Sequence, residues 1–166
     1  MTTTHVPRSI LLLLLFSLLY EVPASAQVGD TFTATVSRVA DCDTITVVHN
    51  GDTTRIRLDS IDTPEMDQPF GSQARALTSS RVLNRKVIVT VHDVDRYGRL
   101  VSRVQIGGVD LSAALVSEGF AWHYTRYSDD PVLARAEAEA RAMKIGLWSQ
   151  RSPVSPWEFR RQARSR

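Results

Sequence analysis

Hydrophobic and polar residues alternate along several stretches between residues 31 and 106, which is the pattern of half-buried β-strands. The alternation predicts five strands, at residues 31–40, 44–49, 53–61, 87–94 and 99–106. Between the second and third strands, Asn50-Gly51 predicts a tight hairpin, because both residues accept a positive φ.

Helical spacing of apolar residues predicts three helices, at residues 73–84, 111–118 and 131–143. Ser72 and Asp110 are the predicted N-caps of the first two helices, and Pro131 lies in the first turn of the third. Prolines after Trp148 predict an extended final segment. Five strands with one helix after the third and two after the fifth predict an α+β, mainly β fold, an OB-type five-stranded barrel with three helices.

The N-terminus has the pattern of a secretory signal peptide. Arg8 precedes an apolar run at residues 10–20 that only Ser17 interrupts, and Ala24-Ser25-Ala26 has the small-residue cleavage pattern. The alternative is a membrane anchor, but the run is shorter than the about 20 residues that span a bilayer. We therefore expect cleavage after residue 26 and an exported protein, periplasmic or secreted, with no membrane attachment.

Charge divides the remaining chain into a domain at residues 27–149 and a basic tail at residues 150–166. Residues 27–148 carry 14 basic and 16 acidic side chains, whereas residues 149–166 carry five arginines and one acid. The tail is either a solvated end or an arm that attracts polyanions. The single cysteine, Cys42, excludes an internal disulfide.

Candidate chemistry is concentrated around the end of the third predicted strand. Arg57, Asp62 and Glu65 follow one another there, and Asp43 and Arg99 stand at the ends of neighbouring strands. Carboxylates bind hard cations and arginines bind phosphate, so this set favours phosphoester hydrolysis. Each residue alone is equally consistent with a turn residue, a surface acid or a strand-end ion pair.

Three separated motifs stand in order along the chain. They are Asp41-x-Asp43-Thr44, Arg57-x4-Asp62-Thr63-Pro64-Glu65 and Asp95-x-Tyr97-Gly98-Arg99, followed by Gly146-Leu147-Trp148-Ser149. Together they resemble the staphylococcal nuclease (thermonuclease) family over residues 31–149. The resemblance implies an OB barrel with three helices and a calcium-dependent nuclease acting on DNA and RNA, which leaves 3′-phosphate and 5′-hydroxyl ends.

The same resemblance implies roles for individual residues. The calcium ligands would be the side chains of Asp43 and Asp62 and the carbonyl of Thr63. Glu65 would activate the attacking water, and Arg57 and Arg99 would bind the phosphate. Substrate contacts are implied at three further positions, namely Arg96, Tyr97 and Tyr127.

One position departs from the family pattern, because Cys42 stands where the family usually has glycine. A required positive φ would make cysteine costly there, but we expect the loop to tolerate it. A thiol exposed at the rim would react with thiol reagents.

The rival functions are a nuclease-like module that binds nucleic acid or protein without cutting, and an exported OB module for oligosaccharides. We expect a monomer without a stable protein partner.

Overall fold

The structure is a computed structural model that describes residues 26–165. The predicted signal peptide lies outside the described residues, except for its last position, Ala26. Over the described range, no helix has the length and hydrophobicity needed to cross a membrane.

Between residues 26 and 165, eight strands form the sheet structure, five long and three of two residues each. In chain order they are β1 (Thr31–Asp41), β2 (Thr44–His49), β3 (Asp52–Leu58), β4 (Ile61–Asp62), β5 (Lys86–Val94), β6 (Leu100–Ile106), β7 (Val109–Asp110) and β8 (Trp122–His123).

The five long strands close into a barrel. The sheet order is β3-β2-β1-β5-β6-β7, and β3 also pairs with β6 in parallel, which joins the two sides of the sheet. Alternation places Val87, Val89 and Val91 of β5 in the interior, where each is at most 1% exposed. Burial of a valine, leucine or isoleucine contributes about 1.5–3 kcal/mol, so this alternation specifies which face of each strand is inside. The predicted OB-type barrel is confirmed.

In the part of the chain that the structure describes, four helices and one 3-10 turn surround the barrel. They are α1 (Gly71–Val82), α2 (Leu111–Ser117), α3 (Pro131–Ala142), the 3-10 turn Gly146–Ser149 and α4 (Pro156–Arg164). The predicted cap of α2 is confirmed, since the Asp110 carboxylate accepts a hydrogen bond from the backbone N–H of Ala113 at 3.0 Å. The fold class is confirmed, but the prediction of three helices was short by one, α4.

The structure corrects two predicted boundaries. The third strand is not continuous over residues 53–61, because Ser60 has a φ of 65° and turns the chain into β4. The first helix begins at Gly71, and its N-cap is Phe70 with a φ of 70°. Ser72, the predicted cap, lies inside the first turn. The break at Ser60 matters for the site, because it pairs β4 with β8 instead of continuing β3.

A second apolar cluster lies beside the barrel core. Trp122 and Trp148 meet edge to face with ring centroids 4.4 Å apart, and Leu147 is buried beside them. Trp157 of α4 packs against the same cluster. Trp122 is therefore a packing residue, and the cluster gives α4 an apolar surface on which to dock.

We expect Gly146→Ala to destabilise the protein by at least about 2 kcal/mol more than the same substitution at a glycine that has a similar φ but no close neighbours. Gly146 has a φ of +55°, and a Cβ there would overlap the carbonyl oxygen of Gly119. Gly107 has a φ of +57° with nothing within 4 Å of a Cβ, so Gly107→Ala is the matched control. Urea unfolding of both variants measures the difference, and equal destabilisation would show that the close approach at Gly146 is not costly.

Candidate active site

Asp43 lies in the turn between β1 and β2 and points into the rim of the barrel. Its Oδ2 accepts a hydrogen bond from the Thr63 hydroxyl at 2.9 Å, and its Oδ1 accepts one from the Thr44 hydroxyl at 3.2 Å. The Asp43 carbonyl accepts from the Leu58 N–H at 2.8 Å, which ties this turn to the end of β3. The carboxylate is therefore held in one orientation although it is in a turn.

Asp62 is the most buried acid of the site, with a side chain that is 1% exposed. It lies on β4 opposite Trp122 of β8, so the short second sheet determines its position. Burial raises the pKa of the Asp62 carboxyl above its ordinary value, against the hydrogen bond from Arg160, which lowers it. A carboxylate in this environment needs cations beside it to remain ionised.

Arg57 joins the two aspartates. Its Nη1 lies 2.9 Å from Asp43 Oδ2, and its Nη2 lies 3.1 Å from Asp62 Oδ1. The same nitrogens donate to the carbonyls of Leu58 and Ile61, both at 3.0 Å. The planar guanidinium is thus oriented by four acceptors, and this places a fixed pair of donors at the rim.

Arg99 approaches from the β5–β6 turn. Its Nε lies 2.7 Å from Asp95 Oδ2, and its Nη1 donates to the Thr44 hydroxyl at 3.1 Å. Burial works to raise the pKa of Asp95, but hydrogen bonds from Arg99 and Tyr97 outweigh it and hold that pKa below its ordinary value. Because Thr44 also contacts Asp43, Arg99 reaches the same site as Arg57.

Glu65 lies in the loop between β4 and α1. The Gln68 side chain accepts from the Glu65 N–H at 3.0 Å, and the Gln68 N–H donates to the Glu65 carbonyl at 2.9 Å. Gly71 lies so close that a Cβ there would overlap the Glu65 carbonyl. The loop therefore holds a partly exposed carboxylate beside the two buried aspartates.

Arg160 of α4 is the residue that sequence reasoning missed. Its Nη1 lies 2.6 Å from Glu65 Oε1, and its Nη2 lies 2.7 Å from Asp62 Oδ2. Burial opposes its charge, but hydrogen bonds to Asp62 and Glu65 outweigh burial and hold the pKa of Arg160 above its ordinary value. The prediction of an extended segment after Trp148 is wrong from residue 156 onward, because residues 156–164 form a helix that delivers this arginine to the site.

A signal for α4 was present in the sequence. Ser155 precedes Pro156, and Glu158 stands three residues after Ser155, which is the pattern of a capped helix start with proline in its first turn. In the structure the Ser155 hydroxyl donates to the Glu158 carboxylate at 2.8 Å. Pro156 begins the helix, whereas Pro153 lies in the non-helical segment before it.

Cys42 is fully buried and does not lie exposed at the rim. Its Sγ contacts the carbonyl oxygens of Gly71 and Pro64 at 3.2 and 3.4 Å. It is not among the described residues that have a positive φ, so its backbone carries no glycine requirement and the expected tolerance is confirmed. Burial, with the nearby charges of Asp41 and Asp43, raises the pKa of the Cys42 thiol to about 12.

We therefore expect thiol reagents to leave the native protein unlabelled and active near neutral pH, because the reactive species is the thiolate and both access and ionisation are suppressed. Labelling with a chromogenic disulfide in buffer and in denaturant measures this. One thiol should react promptly in denaturant only. Rapid labelling of the native protein would contradict the buried position of Cys42.

The three predicted substrate-contact residues lie at the surface. Tyr97 and Tyr127 are 65% and 69% exposed, and the Arg96 guanidinium lies 4.8 Å above the Tyr97 ring. Tyr127 meets Tyr124 edge to face with centroids 4.9 Å apart. Tyr124 in turn stacks on Trp157 of α4 at 5.1 Å with an interplanar angle of 2°. Their surface position is compatible with contacts to a ligand, and their roles stay predictions.

The donor set fits a hard divalent cation. Two buried carboxylates share the Arg57 fork, and the chain continues from Asp62 directly into Thr63. Oxygen ligands of this kind suit calcium, with waters and a substrate oxygen completing the shell. Between residues 26 and 165, no three His, Cys, Asp or Glu side chains are grouped closely enough to hold an ion by themselves. A cation here would therefore depend on ligands beyond these side chains.

Together, the closed barrel and the carboxylate–arginine cluster at its rim define an OB-barrel protein with a site suited to phosphoesters. A family model described as staphylococcal nuclease homologue matches residues 55–150. The chain belongs to the staphylococcal nuclease family.

Several named relatives are similar to this chain. A micrococcal nuclease of Shigella flexneri is 38% identical over 159 residues, covering 89% of each chain. An uncharacterized endonuclease of Escherichia coli is 42% identical over 126 residues, 75% of this chain and 82% of the relative. A probable staphylococcal-like nuclease of Oryza sativa subsp. japonica is 40% identical over 111 residues, 67% of this chain. The match spans only 34% of that plant relative.

Proposed function

We propose that this chain is an exported nuclease that uses calcium to hydrolyse phosphodiester bonds of DNA and RNA, leaving 3′-phosphate and 5′-hydroxyl ends. The observation that carries the proposal is the Arg57 fork, which holds Asp43 and Asp62 together at 2.9 and 3.1 Å. The names of the Shigella and Escherichia relatives, a nuclease and an endonuclease, support the reaction class. The signal-peptide pattern of residues 1–26 supports export.

The proposed metal site consists of the Asp43 and Asp62 carboxylates and the Thr63 carbonyl. When bound there, calcium supplies positive charge that polarises a phosphate oxygen. The residues that hold it are positioned before binding, because Thr63 and Thr44 orient Asp43 while the β4–β8 pairing positions Asp62. A prepositioned site avoids reorganisation during the reaction.

The remaining residues act on the water and on the phosphate. Glu65 takes a proton from the attacking water, whose oxygen bonds to phosphorus as the P–O5′ bond breaks. Arg57 and Arg99 donate hydrogen bonds to the phosphoryl oxygens, on which negative charge increases in the transition state. The 5′-oxygen leaves and takes a proton from solvent, which gives the 5′-hydroxyl and the 3′-phosphate.

The test is incubation of the purified protein with DNA and with RNA in millimolar calcium, then with a chelator, then with excess calcium restored. We expect both substrates to shorten, the reaction to stop on chelation and to resume on restoration. Unchanged cleavage in chelator would contradict the calcium requirement. A folded protein that shifts labelled nucleic acid in a gel without shortening it would instead be a binding module.

A further inference from the structure

Helix α4 lies beyond the family-matched residues 55–150, yet it contributes a charged side chain to the site. Arg160 contacts both oxygens of Asp62, with its Nη2 2.7 Å from Oδ2 and its Nη1 3.3 Å from Oδ1. Arg57 holds the same carboxylate at 3.1 Å. The guanidinium groups of Arg57 and Arg160 therefore contact one buried acid. Arg57 is proposed to bind phosphate, and Arg160 has the same acidic partner.

The position of α4 is determined by packing as well as by this ion pair. Trp157 stacks on Tyr124 and meets Trp122 at 5.6 Å edge to face. The Gln68 side chain donates to the Val154 carbonyl at 2.9 Å, while its oxygen accepts from the Glu65 N–H. Because Gln68 binds both segments, the loop that carries Glu65 and the chain that leads into α4 are held together. Arg160 is thus a built-in part of the site.

The net charge of the site indicates a function for Arg160. Three carboxylates, Asp43, Asp62 and Glu65, face two guanidinium groups, Arg57 and Arg160. Arg99 already has its own acid, Asp95. A divalent cation added to this group changes its net charge from −1 to +1, which attracts a phosphodiester. Without Arg160 the same loaded site would be neutral.

We propose that Arg160 is a third phosphate-binding arginine, which contacts Asp62 and Glu65 in the free protein and a phosphate of the nucleic acid strand in the loaded one. This inference rests on the proposed nuclease function and adds a helix to the substrate surface. Arg164 lies one helical turn from Arg160, is exposed, and extends the positive charge along the same face of α4. The face of α4 that carries Arg160 and Arg164 therefore belongs to the substrate surface, so for these two charges of the basic tail we favour polyanion binding.

The test is equilibrium binding of a fluorescent, fully phosphorothioate single-stranded oligonucleotide, which keeps the backbone charge and resists cleavage. Binding is measured by anisotropy in saturating calcium over a series of salt concentrations. We expect Arg160→Gln to weaken binding and to reduce the slope of log K against log salt by about 0.7, the contribution of one phosphate contact on a single strand.

Two further variants serve as controls. Arg161→Gln removes the same charge from the adjacent position, where the side chain is 75% exposed and its acidic partner Glu158 lies 3.9 Å away, and it should keep the wild-type slope. Arg160→Lys keeps the charge and should also keep most of the slope. If Arg160→Gln binds as tightly as the wild type with the same slope, Arg160 is an ion-pair residue only and the inference is wrong.

Calcium titration without nucleic acid, monitored by calorimetry, separates phosphate binding from metal binding. Arg160→Gln should bind calcium at least as tightly as the wild type, because a competing positive charge is removed from Asp62 and Glu65. Loss of calcium binding in this variant would mean that Arg160 acts through the metal site, which overturns the inference. A wild type that neither binds nor cleaves nucleic acid overturns the proposed function as well.

Discussion

Replacement of Arg57 with alanine should lower the rate of phosphodiester cleavage by about 10³-fold, the upper part of the range for losing one transition-state donor. Arg57 contacts both Asp43 and Asp62. Its loss therefore removes phosphate donors and also the positive charge that offsets the repulsion between these two buried carboxylates. The measurement is the single-turnover rate on a labelled oligonucleotide in saturating calcium.

Arg57→Lys separates catalysis from folding. Lysine keeps the positive charge but lacks the planar fork that spans two carboxylates, so we expect a folded protein whose rate is still reduced by about 10²-fold. Circular dichroism and thermal melting of both variants show whether the barrel is intact. Near wild-type activity of Arg57→Ala would contradict the assignment of this residue to the active site.

Replacement of Glu65 with glutamine should lower the rate by about 10²–10⁴-fold, the range for loss of a general base. Glutamine has nearly the same shape and can still accept the hydrogen bond that Arg160 donates to Glu65 Oε1 at 2.6 Å. The fold and calcium affinity should therefore change little. Asp67→Asn, an exposed acid in the same loop, is the matched control and should keep full activity.

The measurement is the single-turnover rate of Glu65→Gln in saturating calcium, compared with the rates of the wild type and of Asp67→Asn. A Glu65→Gln variant with the wild-type rate would show that another group, or none, accepts the proton from water.

Local chemistry explains the features that could be predicted from the sequence. Asn50 and Gly51 adopt φ values of 51° and 90°, as the hairpin between β2 and β3 requires. Asp110 caps α2 by a bond to a backbone N–H three residues away. Each of these features depends on a few neighbouring residues, so a sequence pattern is enough to indicate it.

Features that depend on distant contacts were missed or misassigned. The break of the third strand at Ser60 depends on pairing with β8, more than 60 residues away in the chain. The burial of Cys42 depends on carbonyls of Pro64 and Gly71 that fold over it. Neither partner could be identified from the local pattern around these positions.

The candidate site shows the same division. Spacing and the family resemblance brought Asp43, Arg57 and Asp62 together as a set, and the structure places them in contact. Arg160 was missed because its contact with Glu65 joins positions 95 residues apart, and because α4 was interpreted as extended chain. The docking of Trp157 on Tyr124 and the ion pairs of Arg160 together bring the basic tail to the site.

The ends of the products test most directly the proposal that this carboxylate–arginine site breaks the P–O5′ bond of nucleic acid. The measurement is digestion of an unlabelled oligonucleotide in calcium, followed by reaction of the fragments with polynucleotide kinase, with and without prior phosphatase treatment. We expect fragments whose 5′ ends accept phosphate at once and whose 3′ ends carry phosphate. Fragments with 5′-phosphate ends, or no cleavage by the folded, calcium-loaded protein, would contradict the proposed reaction.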